Sequence, residues 1–156
     1  MRGFAQAAGL AVSMAVTFSA ALIGSSFPVD EWYAGLAKPS WNPPGWVFGP
    51  VWIVLYILMA AAAWLVWRKA GFRGAALPLL LYLLQLVLNA AWSWFFFDEH
   101  RIGMALADIV ALLALIVIVA LLFRRILPLA GWFMVPYISW VAFAALLNFT
   151  LWKLNG

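Results

Sequence analysis

Five long apolar runs dominate this chain and leave little between them: Phe4–Phe27, about Gly49–Trp67, Leu77–Phe97, Ile102–Phe123 and Leu129–Trp152. A helix rises about 1.5 Å per residue, so about 20 residues cross a hydrocarbon core of ~30 Å. Each run is long enough to span a membrane. The composition agrees, because 69% of the 156 residues are hydrophobic and 9% are charged. With a mean hydropathy of +1.06, a soluble domain of this length would lack polar surface. The fold class predicted is an all-α integral membrane protein, a single five-transmembrane-helix bundle over residues 1–156 with a lid-like loop at 28–48.

Several function classes drop out at once. Without cysteine there is no disulfide framework, thiol nucleophile or thiolate metal site. The net charge of +4 comes from few basic residues scattered among membrane helices, which excludes a nucleic-acid-binding stripe. The first run is longer than the ~7–15 residues of a signal-peptide core, so it reads as a helix. Orientation follows from the cations. Arg2, Arg68, Lys69, Arg73, Arg124 and Arg125 fall on one side, against Lys38, Arg101 and Lys153 on the other. The positive-inside rule then makes the N-terminus cytoplasmic and turns the first loop outward, in a membrane the sequence does not identify.

That loop contains KPSWNPPGWVFGPVW, with four prolines and three tryptophans in fifteen residues. Pro43 and Pro44 restrict themselves and the residues before them to extended geometry, presenting Trp41 and Asn42 on a stiff scaffold. Pro50 suits the first turn of the second span. Polar residues gather beneath the loop. Trp52 and Tyr56 lie one turn apart; Gln85, Asn89 and Trp92 share one helix face, and so do Trp140, Ala144 and Asn148. Asp108 is the only carboxyl inside a span. The loop reads as a lid over a half-polar cavity, with Trp52 and Trp140 as pocket walls.

Other readings stand beside these. Trp32, Trp41, Trp64, Trp67, Trp132 and Trp152 suit the membrane interface. Gln85 and Asn89 are equally interhelical hydrogen-bonding partners. Asp108 serves either a structural hydrogen bond or a ligand. Pro136 inside the fifth run is expected to bend that helix.

The stretches WYAGLAKPSWNPPGWVFGPVW, YLLQLVLNAAW, GMALAD and VPYISWVAFAALLNF, in this order, resemble the tryptophan-rich sensory protein/translocator protein family (TspO/MBR, the peripheral-type benzodiazepine receptors). The resemblance covers about Trp32 to Trp152. It implies a five-helix bundle that binds porphyrins and, in some members, sterols or benzodiazepine-type drugs in an outer-half pocket closed by the first loop. By motif, the ligand contacts implied are Trp41, Pro43, Trp52, Tyr56, Asn89, Trp92, Trp140, Ala144 and Asn148, with Tyr33 and Asp108 secondary. Phe149 stands where the family's sterol motif has tyrosine, so the resemblance favours porphyrin over sterol. A homodimer is also implied, although no GxxxG occurs in the last three runs.

Three functions follow from these expectations. A receptor or sensor for a tetrapyrrole is favoured. A transporter is the first alternative, but five helices do not divide into inverted repeats. A light-dependent porphyrin-degrading enzyme is the second. No span offers Cys, Lys or His, so its chemistry would rest on Trp52 and Trp140. No metal or required cofactor is expected. The porphyrin is a ligand, its propionates near Lys38 or Arg101, and His100 in the DEHR turn is solvated rather than an axial haem ligand.

Overall fold

The computed structural model describes residues 2–156. Four of the apolar runs lie within a helix long and apolar enough to cross a membrane, the first, Phe4–Phe27, overruns its helix by two residues, and no strand occurs among the described residues. The spanning helices are α1 (Arg2–Ser25), α3 (Gly45–Gly74), α4 (Ala76–Ser93), α5 (Ile102–Ile126) and α6 (Pro128–Asn155). Between the first two, α2 (Glu31–Ala34) is a single turn inside the first loop. A π-helical turn, Trp94–Asp98, continues α4 to the loop end of the bundle. The chain is an all-α, multi-pass membrane protein, whose helices satisfy their own backbone groups where lipid cannot.

The boundaries depart from the apolar runs for physical reasons. Charge at Arg68 ends the second run, yet α3 continues through Arg68 and Lys69 to a kink at Gly71. Both side chains are exposed, and Arg68 lies 4.9 Å from the Trp64 ring, so the helix can outlast its apolar composition. Gly71 adopts φ 69°, a left-handed conformation that glycine enters without a Cβ clash. At the other end Pro44 takes the N-cap and Gly45 opens α3. Pro50 therefore lies inside the helix and not in its first turn, as the sequence suggested, and leaves the Trp46 carbonyl without its usual partner. Pro136 likewise sits within α6 without ending it.

Helix α5 packs most extensively along α6, and α4 lies against α5. Helix α1 is peripheral, with only Thr17 and Ala20 buried, and docks on α3 and α4. Polar pins hold it there. The Thr17 and Tyr82 hydroxyls are 2.6 Å apart, and Ser13 donates to the Ala60 carbonyl at 2.7 Å. Gly9 is small for a reason, since a Cβ there would collide with the Trp67 ring. The main core runs from Ala20 and Met59 through Tyr82, Leu112 and Ile116 to Tyr137 and Val141. A second cluster at the loop end gathers Phe96, Ile102, Ala105, Leu147 and Leu151 beneath α2.

Candidate functional site

The interior polar residues come together from three helices. Tyr56 on α3 donates its hydroxyl to Asn89 Oδ1 at 2.6 Å. Asn89 Nδ2 donates to the Tyr137 hydroxyl at 2.7 Å, and that hydroxyl donates to Gln85 Oε1 at 2.7 Å. All four residues are buried. Their spacing explains the meeting: Gln85 and Asn89 are one turn apart on α4 and point the same way. Nearer the loop, Trp92 Nε1 donates to Asn148 Oδ1 at 2.9 Å, and Asn148 Nδ2 to the Ile102 carbonyl at 3.1 Å. The polar atoms of Tyr56, Asn89, Trp92 and Asn148 therefore already have partners within the protein. These residues form a wall by being braced, which is the interhelical role the sequence left open for Asn89.

Two polar atoms in this region lack such partners. Trp140 Nε1 and Asp108 Oδ2 are both buried and make no hydrogen bond. In an apolar interior an unpaired donor or acceptor is costly. The antiparallel register of α5 and α6, set by the Asn148–Ile102 bond and the close packing of Gly131 on Ala120 and Arg124, puts Asp108 near the level of Ala144. Trp140 is one turn away along α6. Aromatic faces line α3 and α6 in this half of the bundle. Trp52 lies 5.6 Å from Tyr56 and 6.2 Å, edge-on, from Tyr137. Phe48, on the first turn of α3, packs edge-on against Trp140 at 5.7 Å.

The first loop is built rather than slack. Trp41 is partly exposed, with its ring 5.8 Å from Phe143, and Pro43 is half-buried. Tyr33 packs edge-on against Phe96 and Phe97, in the aromatic cluster beneath α2 and not beside Trp52 or Trp140. Lys38 requires a correction. Its ammonium donates to the carbonyls of Tyr33 at 2.6 Å, Leu36 at 3.2 Å and Ala34 at 3.3 Å, closing the end of α2. With its donors engaged there, it is not a free cation for a propionate. Arg101 is exposed and makes no ion pair among the described residues, so of the two cations expected to meet a propionate it is the one whose charge is unengaged. Asp30 is held below the ordinary carboxyl value: partial desolvation raises it, and the Tyr33 N–H and the His100 ring together outweigh that.

The hollow next to Trp140 also lies differently from a chamber directly under the loop. A crevice of about 590 Å³ opens sideways between α3 and α6, lined by Pro50, Val51, Val54, Leu55, Pro136, Ser139 and Trp140. Tyr137 and Phe48 were not among the motif-derived contacts. Tyr137 was legible all the same, because it precedes Trp140 by three residues and Ala144 by seven, on the same helix face. Phe48 carried no comparable signal, since its contact depends on where α3 begins.

Comparison with known proteins accords with the five-span fold. The TspO/MBR family matches residues 9–153. The translocator protein of Homo sapiens is 41% identical over 138 residues, covering 85% of this chain and 82% of that protein. The tryptophan-rich protein TspO of Chlorobaculum tepidum is 39% identical over 153 residues, covering 94% and 95%. Protein CrtK of Rhodobacter capsulatus is 37% identical over 136 residues, covering 85% and 83%. With matches of this extent, and with the five-span bundle behind them, the chain belongs to the TspO/MBR family.

Proposed function

We propose that this protein is a membrane receptor of the sensor type whose ligand is a porphyrin. The observation that carries the reading is that two buried atoms, Trp140 Nε1 and Asp108 Oδ2, lack partners in a bundle whose Trp52, Tyr56 and Tyr137 rings cluster one helical turn along α6 from Trp140. A flat ring bearing both N–H groups and acceptor nitrogens suits such surroundings, stacking on indole faces while its polar atoms meet the unpaired ones. Ala144 supplies space on the same face, and Arg101 at the loop end supplies a cation for a propionate. The first loop faces outward in this reading, and two copies associate in the membrane.

The sideways crevice supports a second reading, in which the protein also passes its ligand along. An apolar molecule could reach Trp140 from the bilayer through that opening without crossing the loop. A titration separates receptor from enzyme, and a vesicle assay tests transport. Purified protein in detergent is titrated with protoporphyrin, in the dark and under illumination, while tryptophan fluorescence and porphyrin absorbance are followed. Saturable quenching with a stable porphyrin band is expected. Absence of saturable quenching sinks the receptor. Light-dependent loss of the band would move the assignment to an enzyme acting through Trp52 and Trp140. Protein-dependent porphyrin efflux from loaded vesicles would establish the transporter.

A further inference from the structure

The first loop contains a stiff unit that is gripped from two sides by elements outside it. Within the unit, Asp30 Oδ1 accepts the Tyr33 N–H at 3.2 Å at the start of α2, and Lys38 binds three carbonyls at its end. Residues 30–38 are therefore held together by their own hydrogen bonds and can shift as one body. One grip comes from α6. The Ala37 N–H donates to Asn155 Oδ1 at 2.9 Å, and Asn155 Nδ2 donates back to the Ala37 carbonyl at 3.0 Å. One side-chain amide thus pairs with both backbone groups of a single residue, as a neighbouring strand would. The same Nδ2 also donates to the Leu151 carbonyl at 2.8 Å, which orients the amide on its own helix. The second grip is His100. Its Nε2 lies 2.9 Å from Asp30 Oδ2, and its ring stacks on Trp32 at 4.2 Å with an interplanar angle of 12°. His100 holds this place at φ 55°, a conformation that non-glycine residues seldom adopt.

We propose that Asn155 is a positioning residue for the first loop, the main catch of a latch that holds residues 30–38 closed against α6, with His100 as the second catch. That the latch governs release of a porphyrin rests on the function proposed above; the latch itself does not. The chemistry suits a catch that opens. Asn155, Ala37, His100 and Asp30 are all exposed, so water can replace each bond when the loop lifts. The unit also rests on the loop-end core through Trp32, Tyr33 and Leu36, and the exposed bonds fix its position over that apolar seat. Closing the unit also brings Trp41 onto Phe143, next to Trp140, so the latch is mechanically joined to the aromatic wall.

The chain has no cysteine, so two introduced ones can be labelled uniquely. Nitroxides at Ala34→Cys, on α2, and Leu121→Cys, toward the other end of α5, report the loop's distance from the bundle without any ligand. The latched protein should give one narrow distance distribution. Asn155→Ala should add a second, broader population. It should also speed protoporphyrin release about tenfold while changing association less than twofold, as expected for the loss of two exposed hydrogen bonds. Asn155→Asp keeps the acceptor for Ala37 but loses the donor, and should fall between. Leu154→Ala, next to the catch but making no bond to the loop, should leave the distances unchanged. An unaltered distribution in Asn155→Ala overturns the latch, whether or not porphyrin binds. A broadened distribution in a protein that never binds porphyrin supports the latch and removes the ligand assignment.

Discussion

Tyr137 ties α4 to α6 with a single hydroxyl, which accepts from Asn89 and donates to Gln85. Replacing it with phenylalanine keeps the ring against Trp52 but leaves a buried amide donor and a buried carbonyl acceptor unpaired. Tyr137→Phe should destabilise the bundle by about 1–2 kcal/mol, read from unfolding in detergent. An unchanged midpoint would mean that those amides find other partners. Ala144 poses the opposite question, since it is half-buried between Trp140 and Asn148. If its face is ligand space, Ala144→Phe should sharply lower porphyrin affinity with little change in melting temperature. If its face packs, the enlarged side chain should cost roughly 1–3 kcal/mol of stability. Ala145→Phe, about 100° round the helix, is the control. The state of His100 bears on iron. With Nε2 on Asp30 and its ring on Trp32, it is engaged at the loop end, away from Trp52 and Trp140. Haem and metal-free protoporphyrin should therefore bind about equally well. Much tighter haem binding, lost in His100→Ala, would contradict this.

Among the elements, the loop and the π turn do the most to shape the site. The π turn lets Phe96 enter the loop-end core, stacked on Trp92 at 5.0 Å, while Phe97 meets Tyr33. Such turns insert a residue into a helix and often mark places where side chains have been re-aimed. Pro44, extended at φ −59° and ψ 143°, carries the chain from the latch side into the start of α3, where Phe48 packs on Trp140. Pro43→Ala with Pro44→Ala should make this strap lose more backbone entropy on closing, by about 1–2 kcal/mol for the two residues. Ligand release should then accelerate roughly fivefold to thirtyfold, while the spans keep their stability. Equal dissociation rates in wild type and double variant would reduce the strap to a connector.

For the molecule as a whole, charge distribution makes a prediction about direction. Six of the nine Lys and Arg residues lie at the end opposite the loop, all exposed, and the acidic pairs Asp30–Glu31 and Asp98–Glu99 lie at the loop end. The positive-inside rule then places the loop outward. In a chain without cysteine, Ser40→Cys should react with a membrane-impermeant maleimide on intact cells, and Arg73→Cys only after lysis. The reverse pattern would invert the protein in its membrane.

The architecture was legible in the sequence because hydrophobic length is a local property: any apolar run of this size must become a spanning helix, whatever surrounds it. The face shared by Trp140, Ala144 and Asn148 was legible for the same reason, since helical periodicity acts within one element. Contacts between elements were not. Whether Asn89 meets a ligand or Tyr137, and whether Lys38 points inward or folds back on Tyr33, depends on how helices far apart in sequence are set against one another. Asn155 meets Ala37, 118 residues away in the chain, only because α6 is set beside the first loop. Side-chain hydrogen bonds reach only about 3 Å. Periodicity can say which way a residue points along its own helix, but only the packed bundle decides what lies within that distance.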